Sequence, residues 1–209
     1  MLNALKKYDA VYNQNNSTGD ENCAEVFSFN DRGTNLILTA PHSTKSFVCK
    51  KPKIPDLYTG ALAQYLGVTE HVSTIIRNKF TPYKCMISDF IARQNLQNHY
   101  FLDLHGFNHD IDYDICLGTG LYPHENYPYI DKIITIADKY KLKYAINHHD
   151  YTGKNGLTGR YQKQFVQPNV IQLELKKYLR DFYSNPEIIA ELTIPLLKDI
   201  IDTYQKIPD

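Results

Sequence analysis

Three short segments set chemistry-bearing residues at the ends of apolar runs: Ala40-Pro-His-Ser43, Leu102-Asp-Leu-His-Gly106 and Ile171-Gln-Leu-Glu-Leu175. Neutral imidazoles such as His42 and His105 suit zinc, and a catalytic zinc takes three protein ligands and keeps a fourth position open. The third ligand would be a carboxylate or another histidine, with a separate glutamate to accept the proton of an acidified water. Asp103 alternates with His105, so both can face one way, and Asp103 can orient a ligand imidazole through its other ring nitrogen. Gln172 and Glu174 share a face by the same alternation. Arg93 and Arg160 are candidates to grip a substrate carboxylate, because a guanidinium meets a carboxylate through two parallel hydrogen bonds.

These residues need a scaffold that brings strand ends together. Asn35–Ala40 is a short apolar run closed by Pro41, as a buried strand would be. Asp56–Leu66 follows Pro55 with Leu57, Ala61, Leu62 and Leu66 at helical spacing, and Asp56 is placed to cap that helix. His71–Arg77, Phe101–Leu104, Tyr113–Leu117, Lys143–Ile146 and Val170–Leu175 read as strands. Ile130–Tyr140 and Pro186–Tyr204 read as amphipathic helices. The first 24 residues read as a partly irregular segment, with a polar loop from Asn13 to Asn22. Strands alternating with helices predict one α/β domain over 1–209, and in such sheets ligands bind beyond the carboxyl ends of the strands. His42 and His105 sit at two such ends.

The chain has 209 residues, 23 basic and 23 acidic side chains and 43% apolar residues. That balance excludes the basic excess of a dedicated nucleic-acid binder, and no apolar run approaches the ~20 residues of a membrane span. The N-terminus lacks the order of a signal peptide, so a cytoplasmic protein is expected. The four cysteines, Cys23, Cys49, Cys85 and Cys116, show no paired spacing and read as small buried hydrophobes.

Taken in order, the motifs resemble the N-formylglutamate amidohydrolase family, relatives of zinc carboxypeptidases and aspartoacylase. The matching segments are Thr39-Ala-Pro-His-Ser43, the helix-opening Asp56-Leu-Tyr-Thr59, Ala92-Arg-Gln-Asn95, Asp103-Leu-His-Gly106, Gly156-Leu-Thr-Gly-Arg160 and Gln172-Leu-Glu174. They span about residues 36–180. The resemblance implies a three-layer, carboxypeptidase-like domain whose mixed, mostly parallel sheet carries helices on both faces. It further implies one Zn2+ held by His42, a carboxylate and His105, with Glu174 as general base and Asp103 behind His105. Arg93, Asn95, Arg160 and Gln172 would bind substrate.

The sequence departs from that pattern in two places. Carboxypeptidases supply the second ligand three residues after the first histidine, where this chain has Lys45, so Asp56 is the expected substitute and Asp89 or Glu125 the next choices. The loop after His42 also carries Lys45, Lys50, Lys51 and Lys53, which the family pattern does not require. His109 reads as a surface residue, while His148 and His149 are placed to line the crevice without a counterpart in the resemblance.

The expected function is zinc-dependent release of an acyl group, formyl in the family, from an N-acyl acidic amino acid. The partner is then a small molecule and neither nucleic acid nor membrane. The alternatives are a carboxypeptidase-like metallopeptidase or a non-catalytic module that binds metal or a small anion.

Overall fold

A computed structural model describes residues 1–48, 51–83, 86–127 and 129–205. Its centre is a seven-stranded sheet in the order β1-β5-β2-β6-β9-β7-β8. The strands are β1 (Phe27–Asn30), β2 (Leu36–Ala40), β5 (Ser73–Arg77), β6 (Tyr100–Phe107), β7 (Ile115–Gly118), β8 (Tyr144–Ile146) and β9 (Val170–Lys176). The four inner strands β5, β2, β6 and β9 are parallel, β1 runs antiparallel to β5 and β7 antiparallel to β9, and β8 is parallel to β7. The sheet is therefore mixed and mostly parallel. A separate hairpin pairs β3 (Ser46–Val48) with β4 (Lys51–Lys53) in the loop after His42.

Alternation along the inner strands divides the side chains between two layers. Leu36, Leu38, Leu102, Leu104, Leu173 and Leu175 point into the larger core, with α1 (Leu2–Ser17), α2 (Thr59–Thr69), α4 (Ile130–Lys139) and α7 (Ile194–Gln205). Ile37, Phe101 and Val170 point to the other face, against Ile87, Phe90 and Ile91 of α3 (Ile87–Arg93) and Leu157 and Tyr161 of α5 (Leu157–Phe165). Only the amino-terminal half of that second face is apolar. Further along, it carries Thr39, Asp103, His105, Gln172 and Glu174.

Several elements differ from the sequence expectation. The N-terminal segment is a helix, α1, which leaves helical geometry at its end, from Gln14 to Ser17. Asn15 and Asn16 have φ of 53° and 56°, a left-handed conformation that asparagine tolerates better than most side chains. Leu5 and Tyr12 bury against α2, which accounts for a helix in so polar a stretch. Strand β6 continues through His105 and Gly106, so His105 lies within a strand and not beyond its end. The C-terminal helix is interrupted by a π-helical turn, Ile189–Thr193, between α6 (Pro186–Ile188) and α7.

Asp56 does not cap α2. The helix begins at Thr59 after Tyr58, whose φ is 76°, and Thr59 Oγ1 donates 2.7 Å to the Asp56 carbonyl. The Asp56 side chain is thereby left for other work. Cys116 is buried and Cys23 half-buried, both as free thiols, while Cys49, Cys85 and Lys50 lie outside the described residues. Among the described residues no helix is long and apolar enough to cross a membrane.

Candidate active site

Register builds the site. Thr39 is level with Asp103 on β2 and β6, while Asp103 is level with Gln172 and His105 with Glu174 on β6 and β9. Five polar side chains on three adjacent strands thus share one face near the carboxyl end of the sheet. Strand β2 ends in Pro41, which turns His42 towards them, and Arg77 fixes the turn by donating from Nε to the Pro41 carbonyl at 2.8 Å. Ser43 is occupied below, its hydroxyl donating to the Arg77 and Ala40 carbonyls, so the Ser of the Pro-His-Ser string is a strut.

His105 is the hub. Its Nδ1 lies 3.0 Å from Asp56 Oδ2 and its Nε2 2.9 Å from Asp103 Oδ2, and its ring meets that of His42 edge-on, with centroids 5.1 Å apart. The other oxygen of Asp103 accepts from Thr39 Oγ1. His42 Nδ1 is hydrogen-bonded with Ser46 Oγ at 2.8 Å, which ties it to the β3–β4 hairpin. From that hairpin Lys53 places Nζ 3.3 Å from Asp56 Oδ1. Gln172 Nε2 donates to Glu174 Oε1 at 2.8 Å.

Burial makes these charges act strongly on one another. Burial disfavours a charged imidazole at His105, but the carboxylates of Asp103 and Asp56 outweigh it and raise its pKa to about 10. At Asp56 burial raises the pKa, yet the hydrogen bond from His105 and the charge of Lys53 hold it below the ordinary carboxylate range. Burial and the neighbouring Lys53 push His42 well below its usual value, so it is a neutral imidazole. Burial raises Glu174 to about 7, against the pull of His105.

His42, Asp56 and His105 form a donor set of two imidazoles and one carboxylate, which suits a divalent transition metal. Both ring nitrogens of His105 face carboxylates, so a cation would have to take the place of the proton shared with Asp56. The 3.0 Å between those two atoms already approximates the separation of two ligands on one small ion. His42 keeps the ring nitrogen that Ser46 does not use, and Asp103 would hold the far side of His105. In this arrangement the ligand atoms of His42, Asp56 and His105 do not all lie within 4.8 Å of one another, so a cation there would need a side-chain movement that brings His42 to the Asp56–His105 pair.

Arg93 and Asn95 are exposed. The Arg93 guanidinium lies 5.9 Å from the Phe90 ring centroid and lines an open cleft with Phe27, Phe29 and Asn78 beside β1, two strands from β2. Arg160, in the first turn of α5, bonds the Asn155 carbonyl at 3.0 Å and Met86 Sδ. Neither arginine makes a hydrogen bond or ion pair with the histidines or with Glu174, although α5, which carries Arg160, starts beside the site: a Cβ on its N-cap Gly156 would lie 3.0 Å from Gln172 Oε1. Asp89 and Glu125 are both exposed, and His109 is a surface residue as expected.

Two residues of this region gave no sequence signal. Tyr151 packs on Phe107 and Cys116, and its buried hydroxyl has no hydrogen-bond partner among the described residues. Burial and the Glu174 charge raise its pKa to about 12, which keeps the hydroxyl a donor. Arg180, only 2% exposed, donates from Nε to Leu175 O at 3.2 Å and from Nη1 to Leu57 O at 2.6 Å. Its Nη2 reaches Phe107 O at 3.2 Å and Asn108 Oδ1 at 2.6 Å. One guanidinium therefore ties together the segments that carry Glu174, Asp56 and His105. Gly106 makes room for it, since a Cβ there would lie 2.2 Å from Arg180 Nε.

No protein-family model matches this sequence, and no curated protein matches it. Solved structures do match the fold. A bacteriophage poly-gamma-glutamate hydrolase superposes with a TM-score of 0.59 at 13% identity, over 88% of this chain and 90% of that one. The N-formylglutamate amidohydrolase of Ralstonia eutropha JMP134 gives 0.53 at 13% identity, over 85% and 96%. A gene product of Agrobacterium tumefaciens gives 0.53 at 10% identity, over 86% and 96%. The chain thus shares an α/β fold with hydrolases, and at these identities the likeness is one of fold.

Proposed function

We propose that this chain is a zinc-dependent amide hydrolase whose substrates are N-acylated acidic amino acids, as in N-formylglutamate amidohydrolase. The observation that supports this most is Glu174 beside His105 at the carboxyl end of the inner strands: a buried carboxyl raised to about 7, one strand from a buried imidazole–carboxylate pair. A general base works best when its pKa lies near the operating pH. Two structural relatives are hydrolases of glutamate-containing amides by name.

His42, Asp56 and His105 would hold the metal, which when bound supplies Lewis acidity towards the scissile carbonyl and a nearby water. Asp103, itself fixed by Thr39, keeps His105 in one orientation. Glu174 accepts the proton of the attacking water and passes it to the departing nitrogen. Gln172 Nε2, hydrogen-bonded to Glu174 Oε1, holds the carboxylate in one rotamer. Tyr151, with a buried and unengaged hydroxyl, donates a hydrogen bond to the substrate. Lys53, whose Nζ lies 3.3 Å from Asp56 Oδ1, is a cation beside this site and would meet a substrate carboxylate.

Glu174→Gln preserves size and removes the base. Turnover of N-formyl-L-glutamate should fall by about 10²–10⁴-fold with folding and zinc content unchanged. Unchanged turnover in that variant would refute the mechanism. A zinc-loaded wild type inert towards N-acyl amino acids and peptides would leave a non-catalytic binding module.

One observation favours a longer acidic substrate. The hairpin over His42 carries Lys51 and Lys53, with Lys45 just before it. A row of cations suits a γ-linked glutamate chain better than a single amino acid.

A further inference from the structure

The segment after β8 carries a second group of metal-ligating side chains that the proposed chemistry does not use. One ligand atom from each of His148, His149 and Asp150 lies within 4.8 Å of the other two, and they are the one such trio among the described residues. His149 Nε2 stands 3.0 Å from Asp150 Oδ2, and the two imidazole centroids are 4.2 Å apart. His148 Nδ1 is buried with no hydrogen-bond partner among the described residues. A buried, unpaired ring nitrogen costs free energy that a ligand would recover.

The backbone here is held in place. Asn147, with φ of 54°, accepts from Thr119 N at 2.9 Å and donates to Thr119 Oγ1 at 2.8 Å. The Tyr151 amide donates to the His148 carbonyl at 2.7 Å and closes a tight turn over the three residues. The His148 ring stacks on Tyr151, with centroids 5.6 Å apart, and meets Tyr113 edge-on. The group is therefore presented from a fixed turn that leads into the buried Tyr151.

We infer that His148, His149 and Asp150 form a second divalent-metal site, of the zinc class, separate from the one at His42, Asp56 and His105. Two imidazole nitrogens and a carboxylate oxygen make an open three-ligand set, with the fourth position facing solvent. Tetrahedral zinc with bonds of about 2.0–2.1 Å sets its ligand atoms about 3.4 Å apart. The trio needs only a small contraction, which the exposed side chains of His149 and Asp150 can supply by rotation. A cation there would pin the turn that carries Tyr151 and Gly153 and so stiffen one wall of the catalytic cleft.

The test is zinc stoichiometry by equilibrium dialysis and elemental analysis, with zinc as the only probe. It uses the full chain, His149→Ala, Asp150→Asn and His105→Ala. The first two substitutions fall on exposed side chains, and circular dichroism checks that they fold. Two equivalents in the wild type, falling to one in each of the three variants, would support the site. A single wild-type equivalent lost in His149→Ala and kept in His105→Ala would support it as well, while removing the metal from the proposed catalytic centre. Stoichiometry unchanged by His149→Ala and Asp150→Asn would overturn it, whatever His105→Ala does.

Discussion

Gly106→Ala tests whether Arg180 organises the site. The new methyl would stand 2.2 Å from Arg180 Nε, 2.5 Å from Cζ and 2.8 Å from Cδ. A free lysine-like chain would swing aside, but this guanidinium is buried and bonded to four acceptors. Losing even two of those bonds, at about 1.5–3 kcal/mol each for a charged donor, costs about 3–6 kcal/mol. For a chain of this length each kcal/mol moves Tm by about 2–4 °C, so the midpoint should fall by on the order of 10 °C. Thermal unfolding followed by circular dichroism measures this. Gly33→Ala is the control: its φ is +68° with nothing within 4 Å of the added Cβ, so it costs only the left-handed strain of about 1–2 kcal/mol. In an Arg180→Ala background the Gly106→Ala penalty should shrink, because the side-chain atoms it collides with are gone. A Tm within about 2 °C of wild type, or an equal penalty in both backgrounds, would refute the reasoning.

Two further outcomes follow from the electrostatics. His105 is raised from 6.5 to about 10 in the metal-free protein, so its contribution to stability is complete below pH 6.5 and is lost as pH rises through 10. Tm of chelator-treated protein should therefore decline between pH 7 and 10, and the decline should flatten in Asp103→Asn; equal slopes would show that Asp103 does not hold the proton. If the lysine hairpin reads a polyanion, Lys45→Glu with Lys51→Glu should raise KM for poly-γ-glutamate several-fold at low salt and leave KM for N-formyl-L-glutamate unchanged. That difference should vanish near 1 M salt, where the screening length is about 3 Å, and its persistence there would argue against a charge effect.

Much of the site could be read from alternation alone. Asp103 with His105 and Gln172 with Glu174 are spaced by two within apolar strands, and a strand has no choice but to present such pairs on one face. Asp56 was expected beside His105 only through the family resemblance, since its place before α2 also reads as a helix cap; in the structure its carboxylate meets His105 and Lys53 instead. What the sequence hid depends on contacts between distant segments. Arg180 has no motif, because its acceptors are carbonyls of residues 57, 107 and 175, and carbonyls are common to every residue type. Arg93 and Arg160 were placed in the site on chemistry, whereas in the structure neither bonds to the histidines or to Glu174. Both helices were missed because Leu157 with Tyr161 and Ile87 with Phe90 give too few apolar positions to show a period, and tertiary packing makes up the difference. Helix α1 was hidden by its asparagines, although Leu5 and Tyr12 already marked the buried stripe.

The place of Arg180 in the chain has a bearing on synthesis. His42, Asp56, His105 and Glu174 all leave the ribosome before it, and so do strands β2, β6 and β9. The β6–β9 ladder already sets Phe107 level with Lys176, and Arg180, when it follows, ties the Leu57 carbonyl to that corner. Arg180 therefore locks a corner whose strands are already paired, when its guanidinium slides beneath Gly106.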